Sequence, residues 1–145
     1  MGHIDIAKRA AAIFDQLIVG IYDRPYKKLL FSVEERVDMV EEAIAELPNV
    51  RAMSYSGLTV DFIHKMKGTV MIRGLRANSD FEHEFAIALM NKRLSPDIEL
   101  ICLMTSSRYQ FLSSNLIKEV ANLGGCVDDM VPYHVAMALR KKFSV

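Results

Sequence analysis

Short apolar runs alternate along this chain with segments in which apolar residues recur at helical spacing. The first such segment covers residues 4–14, and a branched, continuous apolar run follows at 17–21. A run of this kind is typical of a strand that is buried on both faces. Further strands are predicted at residues 50–55, 69–72 and 99–104. The pattern therefore predicts helices and strands in alternation, beginning with a helix.

Capping residues and helix breakers set the predicted helix boundaries. Ser32 and Glu35 have the Ser-x-x-Glu form of a capping box and open a helix over 33–47; Ser79 and Glu82 repeat that form before a helix that ends near residue 94. A helix over 58–67 is predicted to end at Gly68. Two further helices are predicted, one capped by Ser113 or Ser114 and stopped at 124–125, and one with Pro132 in its first turn.

This alternation predicts an α/β fold in one domain spanning residues 1–145, a Rossmann-like doubly wound parallel sheet with helices on both faces. Folds of this class normally open with a strand and its crossover loop, whereas this chain opens on a helix. We therefore expect the first strand to be missing from the printed chain and to precede Met1 in the natural protein.

Charge and composition narrow the class of ligand. Eighteen basic residues balance eighteen acidic ones, so no overall field favours nucleic acid or an anionic membrane. The apolar runs are far shorter than the roughly 20 residues that span a bilayer, and no secretory signal is predicted. We expect a cytoplasmic protein without a membrane or nucleic-acid partner. Its two cysteines, Cys102 and Cys126, are expected to be free thiols.

Cationic and hydroxyl residues follow several of the predicted strands. In an open parallel sheet the ligand site lies beyond the carboxyl ends of the strands. The residues that follow them here are 23–28, 73–76 and 105–107, the last leading to Ser113 and Ser114. The helix that begins near His3 offers unpaired backbone N–H groups at the same edge. The pattern indicates a phosphate-binding site.

Each of these residues also has a purely structural interpretation. Lys27 and Lys28 are compatible with solvated loop charges, and Arg73 with an ion pair to Asp80 or Glu84. His3 would be a surface residue near a terminus, and the two serines would be ordinary helix caps. No pair of histidines has metal-ligand spacing, and neither a Gly-x-Ser-x-Gly elbow nor a P-loop is present.

Several strings resemble one family, the bacterial phosphopantetheine adenylyltransferases. Gly2-His3-Ile4-Asp5-Ile6 is similar to the second half of the (Thr/His)-x-Gly-His signature of nucleotidylyltransferases, with the final histidine at His3. The other strings are Pro25-Tyr26-Lys27-Lys28 with Phe31-Ser32-Val33-Glu34-Glu35-Arg36, Arg73-Gly74-Leu75-Arg76-Ala77 with Asp80-Phe81-Glu82, and Phe111-Leu112-Ser113-Ser114-Asn115-Leu116-Ile117-Lys118-Glu119-Val120.

The resemblance implies an enzyme that transfers an adenylyl group from ATP to 4′-phosphopantetheine, giving dephospho-coenzyme A and pyrophosphate. It implies His3, Lys27 and Arg76 as catalytic residues and Lys27, Thr59 and Arg73 as phosphopantetheine contacts. It also implies direct in-line attack, Mg²⁺ bound with ATP, coenzyme A as a product-like ligand, and a homohexamer. The implied ATP contacts are His3, Gly74, Leu75, Arg76, Glu84, Tyr109, Gln110, Phe111, Leu112, Ser113, Ser114 and Asn115.

Two departures from the family pattern leave alternatives open. Asn115 stands where the family usually has Ser or Thr, and the family's Gly-(Ser/Thr)-Phe-Asp-Pro turn has no counterpart in the chain. One alternative is a nucleotidylyltransferase with another phosphorylated acceptor, such as glycerol phosphate or nicotinamide mononucleotide. The other is a catalytically impaired nucleotide-binding fragment or assembly module.

Overall fold

A computed structural model describes residues 1–23, 29–76 and 78–144, with the backbone alone of residues 78–80. Helices and strands alternate through the first three quarters of the chain, and two helices complete it. The elements are α1 (Gly2–Ala11), β1 (Leu17–Tyr22), α2 (Val33–Ile44), β2 (Val50–Tyr55), α3 (Thr59–Lys65), β3 (Val70–Leu75), α4 (Asn78–Leu94), β4 (Glu99–Met104), a 3-10 turn (Ser107–Tyr109), α5 (Ser114–Asn122) and α6 (Tyr133–Phe143).

The four strands form two parallel pairs. β1 pairs with β2, Leu17 opposite Val50, and β3 pairs with β4, Val70 opposite Glu99. Within the described residues no ladder joins β1 to β3, so the predicted continuous sheet is divided into two halves. Helix α1 packs against both β1 and β3. The α/β class with parallel strands is confirmed, and the strand ahead of α1 stays a prediction.

Three apolar clusters hold these layers together. Ile21, Ile44 and Ala52 join α2 to the β1–β2 pair, and Val60 and Met71 join α3 to β3. Burial of such side chains contributes about 25 cal/mol per Å² of apolar surface removed from water. The third cluster packs α5 against α6 through five buried side chains, Ala121, Val127, Val131, Ala136 and Leu139.

Side-chain caps define where two helices, α2 and α5, begin. The Ser32 hydroxyl accepts a hydrogen bond from Glu35 N at 3.2 Å, and the Glu35 carboxylate accepts one from Ser32 N at 2.7 Å, which confirms the predicted capping box. Ser113 caps α5 through Leu116 N at 3.1 Å. The predicted cap at Ser79 is wrong, because α4 begins at Asn78 and Ser79 lies inside its first turn.

The strand β4 departs from the prediction that helices cover the parallel sheet on both faces. Four of its six residues, including Ile101 and Met104, are exposed. β4 is paired along one edge only, with β3. An apolar run therefore predicted the strand correctly but not its burial, because burial depends on what covers the strand. None of the described helices has the length and apolar character needed to cross a membrane.

Candidate active site

The amino end of α1 lies against the end of β3 and the segment that follows β4. A Cβ atom built on Gly2 would lie 3.7 Å from Tyr109 Cβ and 3.8 Å from Thr105 Cγ2. A Cβ atom on Gly74 would come within 3.0 Å of Ile6 Cγ1, which is tighter than ordinary van der Waals contact. Glycine at position 74 therefore lets β3 approach α1 closely, and three distant parts of the sequence meet there.

Arg76 links the end of β3 to the segment predicted to bind ATP. Its Nη1 donates a hydrogen bond to the Leu112 carbonyl at 2.7 Å, across 36 residues of sequence. Leu112 is buried, and Ser113 directly after it caps α5. The guanidinium is thereby held beside the N-terminal turn of α5, where backbone N–H groups and the helix dipole favour an anion.

His3 lies in the first turn of α1, and its surroundings favour the neutral imidazole. His3 is exposed by its accessible surface, but desolvation by the groups packed around the ring lowers the pKa of His3 below its ordinary value of 6.5. The N-terminal ammonium, Arg76 and Arg73 lower it further. Both guanidinium groups are therefore close enough to His3 to act on it electrostatically. A neutral imidazole beside two cations can donate a hydrogen bond to an anion at neutral pH.

The lowered pKa of His3 predicts a loss of stability in mild acid. The unfolded chain takes up the proton near 6.5, whereas the folded chain takes it up only at lower pH. The contribution of His3 to stability is therefore fully present above about pH 6.5 and is lost as the pH falls toward the lowered pKa. Urea unfolding at about pH 7.5 and about pH 5.5 will show a larger decrease for the wild type than for His3→Gln. Equal decreases would contradict this assignment.

Arg73 and Glu84 form a bidentate ion pair near His3. Arg73 Nε donates to one Glu84 carboxylate oxygen at 2.8 Å and Nη2 donates to the other at 2.7 Å. Glu84 is buried, and its hydrogen bonds raise the pKa of Arg73, assisted by its charge and opposed by desolvation. This confirms one of the two structural pairings that the sequence left open. Glu84 engages Nε and Nη2 of Arg73, and neither of these two hydrogen bonds uses Nη1.

Tyr55 connects Thr59 to the Arg73–Glu84 ion pair. Its hydroxyl lies 3.0 Å from the Tyr55 hydroxyl, and the Tyr55 ring stacks on Phe62 with 4.5 Å between ring centroids. Tyr55 in turn is close enough to Arg73 to influence its pKa. Two of the predicted phosphopantetheine contacts, Thr59 and Arg73, therefore lie on one side of the candidate site, near the carboxyl ends of β2 and β3.

One prediction about the local structure is wrong. Arg73, Gly74 and Leu75 were predicted to follow the third strand on a turn, but all three belong to β3, and only Arg76 follows it. The strand continues because its ladder with β4 continues, with Arg73 opposite Cys102 and Leu75 opposite Met104. The two guanidinium groups consequently contact different partners. That of Arg73 binds the Glu84 carboxylate, and that of Arg76 binds the Leu112 carbonyl.

The remaining predicted ATP contacts lie along the segment between β4 and α5. Tyr109 ends the 3-10 turn, and Gln110 Nε2 donates to the Thr105 carbonyl at 3.4 Å. Phe111 is exposed, as are Ser114 and Asn115 in the first turn of α5. The structure thus brings His3, Gly74, Arg76 and this segment together. Lys27, the remaining predicted catalytic residue, lies outside the described residues.

Sequence reasoning missed Asp5 and Arg9, which join α1 to the segment after β4. Asp5 Oδ2 accepts a hydrogen bond from Ser106 N at 3.2 Å, and Arg9 Nη1 donates to the Met104 carbonyl at 2.5 Å. The two side chains also pair with each other at 3.4 Å. Their spacing of four residues is typical of an exposed helical ion pair, so only the fold reveals contacts about a hundred residues away. We call Asp5 and Arg9 the α1 clamp.

Loss of the clamp is expected to loosen the segment that follows β4. In Asp5→Ala the Ser106 amide loses a charged acceptor, a bond worth roughly 1.5 to 3 kcal/mol. Hydrogen exchange at that amide will therefore accelerate by about tenfold or more. Asp15→Ala, which removes an exposed carboxylate beyond the end of α1, serves as the control. Unchanged exchange at Ser106 in folded Asp5→Ala would show that the contact does not restrain the segment.

The donor set does not suggest a metal ion held by the protein. Over residues 1–23, 29–76 and 78–144, side chains of His, Cys, Asp and Glu form no group of three or more placed to bind one. The cationic groups described above instead suit an anionic ligand.

Comparison with known proteins places this chain in a family. Residues 1–120 match the family model described as cytidylyltransferase-like. The chain is 50% identical to a phosphopantetheine adenylyltransferase of Desulforudis audaxviator over 144 residues, covering 99% of this chain and 88% of that protein. It is 52% identical over 145 residues to one of Thermomicrobium roseum, with 98% and 87% covered. The chain belongs to the phosphopantetheine adenylyltransferase family, within the cytidylyltransferase-like nucleotidyltransferases.

Proposed function

We propose that this protein transfers the adenylyl group of ATP to 4′-phosphopantetheine, giving dephospho-coenzyme A and pyrophosphate in coenzyme A biosynthesis. One structural observation supports the proposal in addition to family membership. The amino end of α1, His3, Arg76 and the segment from Thr105 to the start of α5 are assembled from distant parts of the chain at one place. That place combines backbone donors, cations and a neutral imidazole, which suits a polyphosphate.

The proposed reaction needs no covalent enzyme intermediate. A phosphate oxygen of phosphopantetheine attacks the α-phosphorus of ATP, a new P–O bond forms, and the bond from the α-phosphorus to the bridging oxygen breaks. Pyrophosphate leaves with that electron pair. A phosphate monoester has a second pKa near about 6 and is already largely dianionic at neutral pH, so no strong base is required. The protein has to align two anions and stabilise the charge of the transition state.

The roles of the individual residues follow from their surroundings. Neutral His3 and the backbone N–H groups of α1 would donate to the ATP phosphates, and His3 would stabilise charge on the transferring phosphoryl oxygens. Arg76 and the Ser113 turn would hold the rest of the nucleotide. Arg73 would meet the phosphopantetheine phosphate through Nη1, together with Lys27, while Glu84 fixes the orientation of its guanidinium.

Glu84 retains a capacity to contact ATP although both of its oxygens accept hydrogen bonds from Arg73. Each carboxylate oxygen has a second lone pair that can accept from a nucleotide hydroxyl. Asn115 retains donor and acceptor groups where Ser or Thr is usual in the family. We propose that Mg²⁺ enters as part of the Mg–ATP substrate and is bound mainly by phosphate oxygens.

The resemblance to the family also supports proposals about the ligands, the cellular compartment and the oligomeric state of the protein. Dephospho-coenzyme A and coenzyme A would bind as product-like ligands, since they share the phosphopantetheine arm. The enzyme would work in the cytoplasm as a homo-oligomer, a hexamer in the family pattern. Symmetric self-association is the commonest assembly of soluble enzymes, and a homo-oligomer here agrees with that general rule.

Pyrophosphate release tests this function directly. We expect ATP with 4′-phosphopantetheine to release pyrophosphate and to yield a product with the mass of dephospho-coenzyme A. Glycerol phosphate and nicotinamide mononucleotide, offered in its place, should release none. Preference for either of these acceptors would overturn the substrate assignment. Calorimetric binding of ATP and phosphopantetheine without release of pyrophosphate would instead support the binding-module alternative.

A further inference from the structure

Three aromatic rings pack together at the carboxyl ends of β1 and β2. The Tyr55 ring stacks on Phe62 of α3 with 4.5 Å between centroids, and it meets the Tyr22 ring at 5.3 Å with a tilt of 50°. Tyr55 and Phe62 lie directly on the backbone of β1, because a Cβ atom on Gly20 would come within 3.1 Å of the first ring and 3.2 Å of the second. Such close packing restricts the Tyr55 ring, so its hydroxyl group has a defined position.

The Tyr55 hydroxyl is paired with the hydroxyl of Thr59. The two oxygens lie 3.0 Å apart, and either of them can donate. Two hydroxyl groups carry two protons, and the hydrogen bond between them uses one. Over residues 1–23, 29–76 and 78–144, neither oxygen takes part in another hydrogen bond. The pair therefore keeps one O–H donor for a further acceptor.

This spare donor lies on the face of β3 that carries Arg73. Val60, the residue after Thr59 in α3, packs against Met71 of β3. Arg73 is two residues beyond Met71 and so projects from the same face of the strand. The pKa of Arg73 is raised chiefly by its hydrogen bonds with Glu84, and Tyr55 raises it further. A neutral O–H donor and a guanidinium group are therefore close to each other, and a phosphate group has enough acceptor oxygens to bind both.

We propose that the Tyr55 hydroxyl is a further substrate-binding group, which donates to one phosphate oxygen of 4′-phosphopantetheine beside Arg73. The inference rests on the proposed function, because it adds a residue to the same site. A phenol is more acidic than an aliphatic alcohol and donates more strongly to an anion, so Thr59 donates to Tyr55 and Tyr55 to the phosphate. The phosphate has three terminal oxygens. With two of them held by Tyr55 and Arg73, the third is oriented to attack the α-phosphorus of ATP.

Two ligands that differ only in the phosphate group test this contact. Calorimetry of the full chain compares binding of 4′-phosphopantetheine with binding of pantetheine, which lacks the phosphate. Tyr55→Phe keeps the ring and removes the hydroxyl, so it should weaken binding of 4′-phosphopantetheine about tenfold or more, as expected for a hydrogen bond to a charged group, and leave pantetheine binding unchanged. Tyr22→Phe removes a hydroxyl from the same aromatic cluster and should change neither affinity.

Steady-state kinetics give a second measure of the same contact. In a pyrophosphate-release assay, Tyr55→Phe should raise the KM for 4′-phosphopantetheine by a similar factor and leave the KM for ATP unchanged. A purely structural role of the hydroxyl would not separate the two substrates in this way. Urea unfolding establishes that each variant is folded.

Thr59→Val identifies which hydroxyl meets the phosphate. It should weaken binding of 4′-phosphopantetheine less than Tyr55→Phe does, because the phenol keeps its proton. A larger loss in Thr59→Val would assign the contact to Thr59 and overturn the proposal. An unchanged affinity in folded Tyr55→Phe, or an equal loss for both ligands, would also overturn it. A wild type without affinity for 4′-phosphopantetheine would contradict the proposed function as well, so the two failures are distinguishable.

Discussion

Replacing His3 by alanine will reduce pyrophosphate release from ATP and 4′-phosphopantetheine by at least about 10²-fold, the usual cost of losing one preorganised donor at a transferring group. His3 lies in the first turn of α1 with a lowered pKa, so the neutral ring can donate a hydrogen bond at neutral pH. Its ring lies within electrostatic reach of Arg73 and Arg76. No other described side chain occupies that position at the amino end of α1.

Two variants separate this role from a general effect on α1. Lys8→Ala removes an exposed side chain from the same helix and should leave the rate unchanged. His3→Gln retains an N–H donor and should be faster than His3→Ala, although slower than the wild type. Near-normal turnover in His3→Ala, measured with a pyrophosphate-coupled assay, would refute the role of His3.

Replacing Arg73 by alanine will lower both activity and stability. Glu84 is buried, with a side chain 10% exposed, and the change to alanine removes the charged partner that the structure describes for its carboxylate. Removal of a hydrogen-bonded charged partner costs roughly 1.5 to 3 kcal/mol; because Arg73 is itself about half exposed, we expect about 2 kcal/mol. Urea denaturation measures this loss, and the same variant should raise the KM for phosphopantetheine more than the KM for ATP.

A double-mutant cycle separates the two effects of Arg73. Glu84→Gln alone removes the charge behind Arg73, and the Arg73→Ala and Glu84→Gln changes together should cost less stability than the sum of the single changes. Arg51→Ala, an exposed arginine on β2, is the matched control. Additive costs in the cycle would show that the pair contributes no coupling energy, and an unchanged KM for phosphopantetheine would remove Arg73 from that subsite.

The sequence predicted the order of elements well, because each is defined by local signals. Apolar runs located the four described strands, and helical spacing or capping residues located the six described α-helices. β4 was predicted with its observed bounds. The capping box at Ser32 was correct because both of its hydrogen bonds are local. A boundary failed at α4, which begins at Asn78, one residue ahead of the predicted cap Ser79.

Motif strings predicted which distant segments lie together, but not the contacts that join them. Motif strings named His3, Arg76 and the segment before α5, which the fold brings together. They gave no indication of the α1 clamp, whose partners lie about a hundred residues away. Arg73 was misplaced on a turn because a polar residue after an apolar run usually marks the strand end, whereas here pairing with Cys102 extends the strand.

The surface of α4 could not be foreseen from periodicity at all. Apolar residues lie on nearly every side of this helix, so no single face stands out as the buried one. Its buried side includes Glu84, which an amphipathic pattern assigns to solvent. The ion pair with Arg73 reverses that expectation, because a paired carboxylate is stable in a buried position where an unpaired one is not.

Titration of the isotopically labelled protein with ATP, followed by amide chemical shifts, tests the shared phosphate site most directly. The three segments are far apart in sequence, so only a common ligand site makes them respond together. We predict that amides of His3, Gly74, Arg76 and residues 105–115 shift together, with one dissociation constant. Shifts confined to one of these segments, or scattered over unrelated faces, would contradict the account.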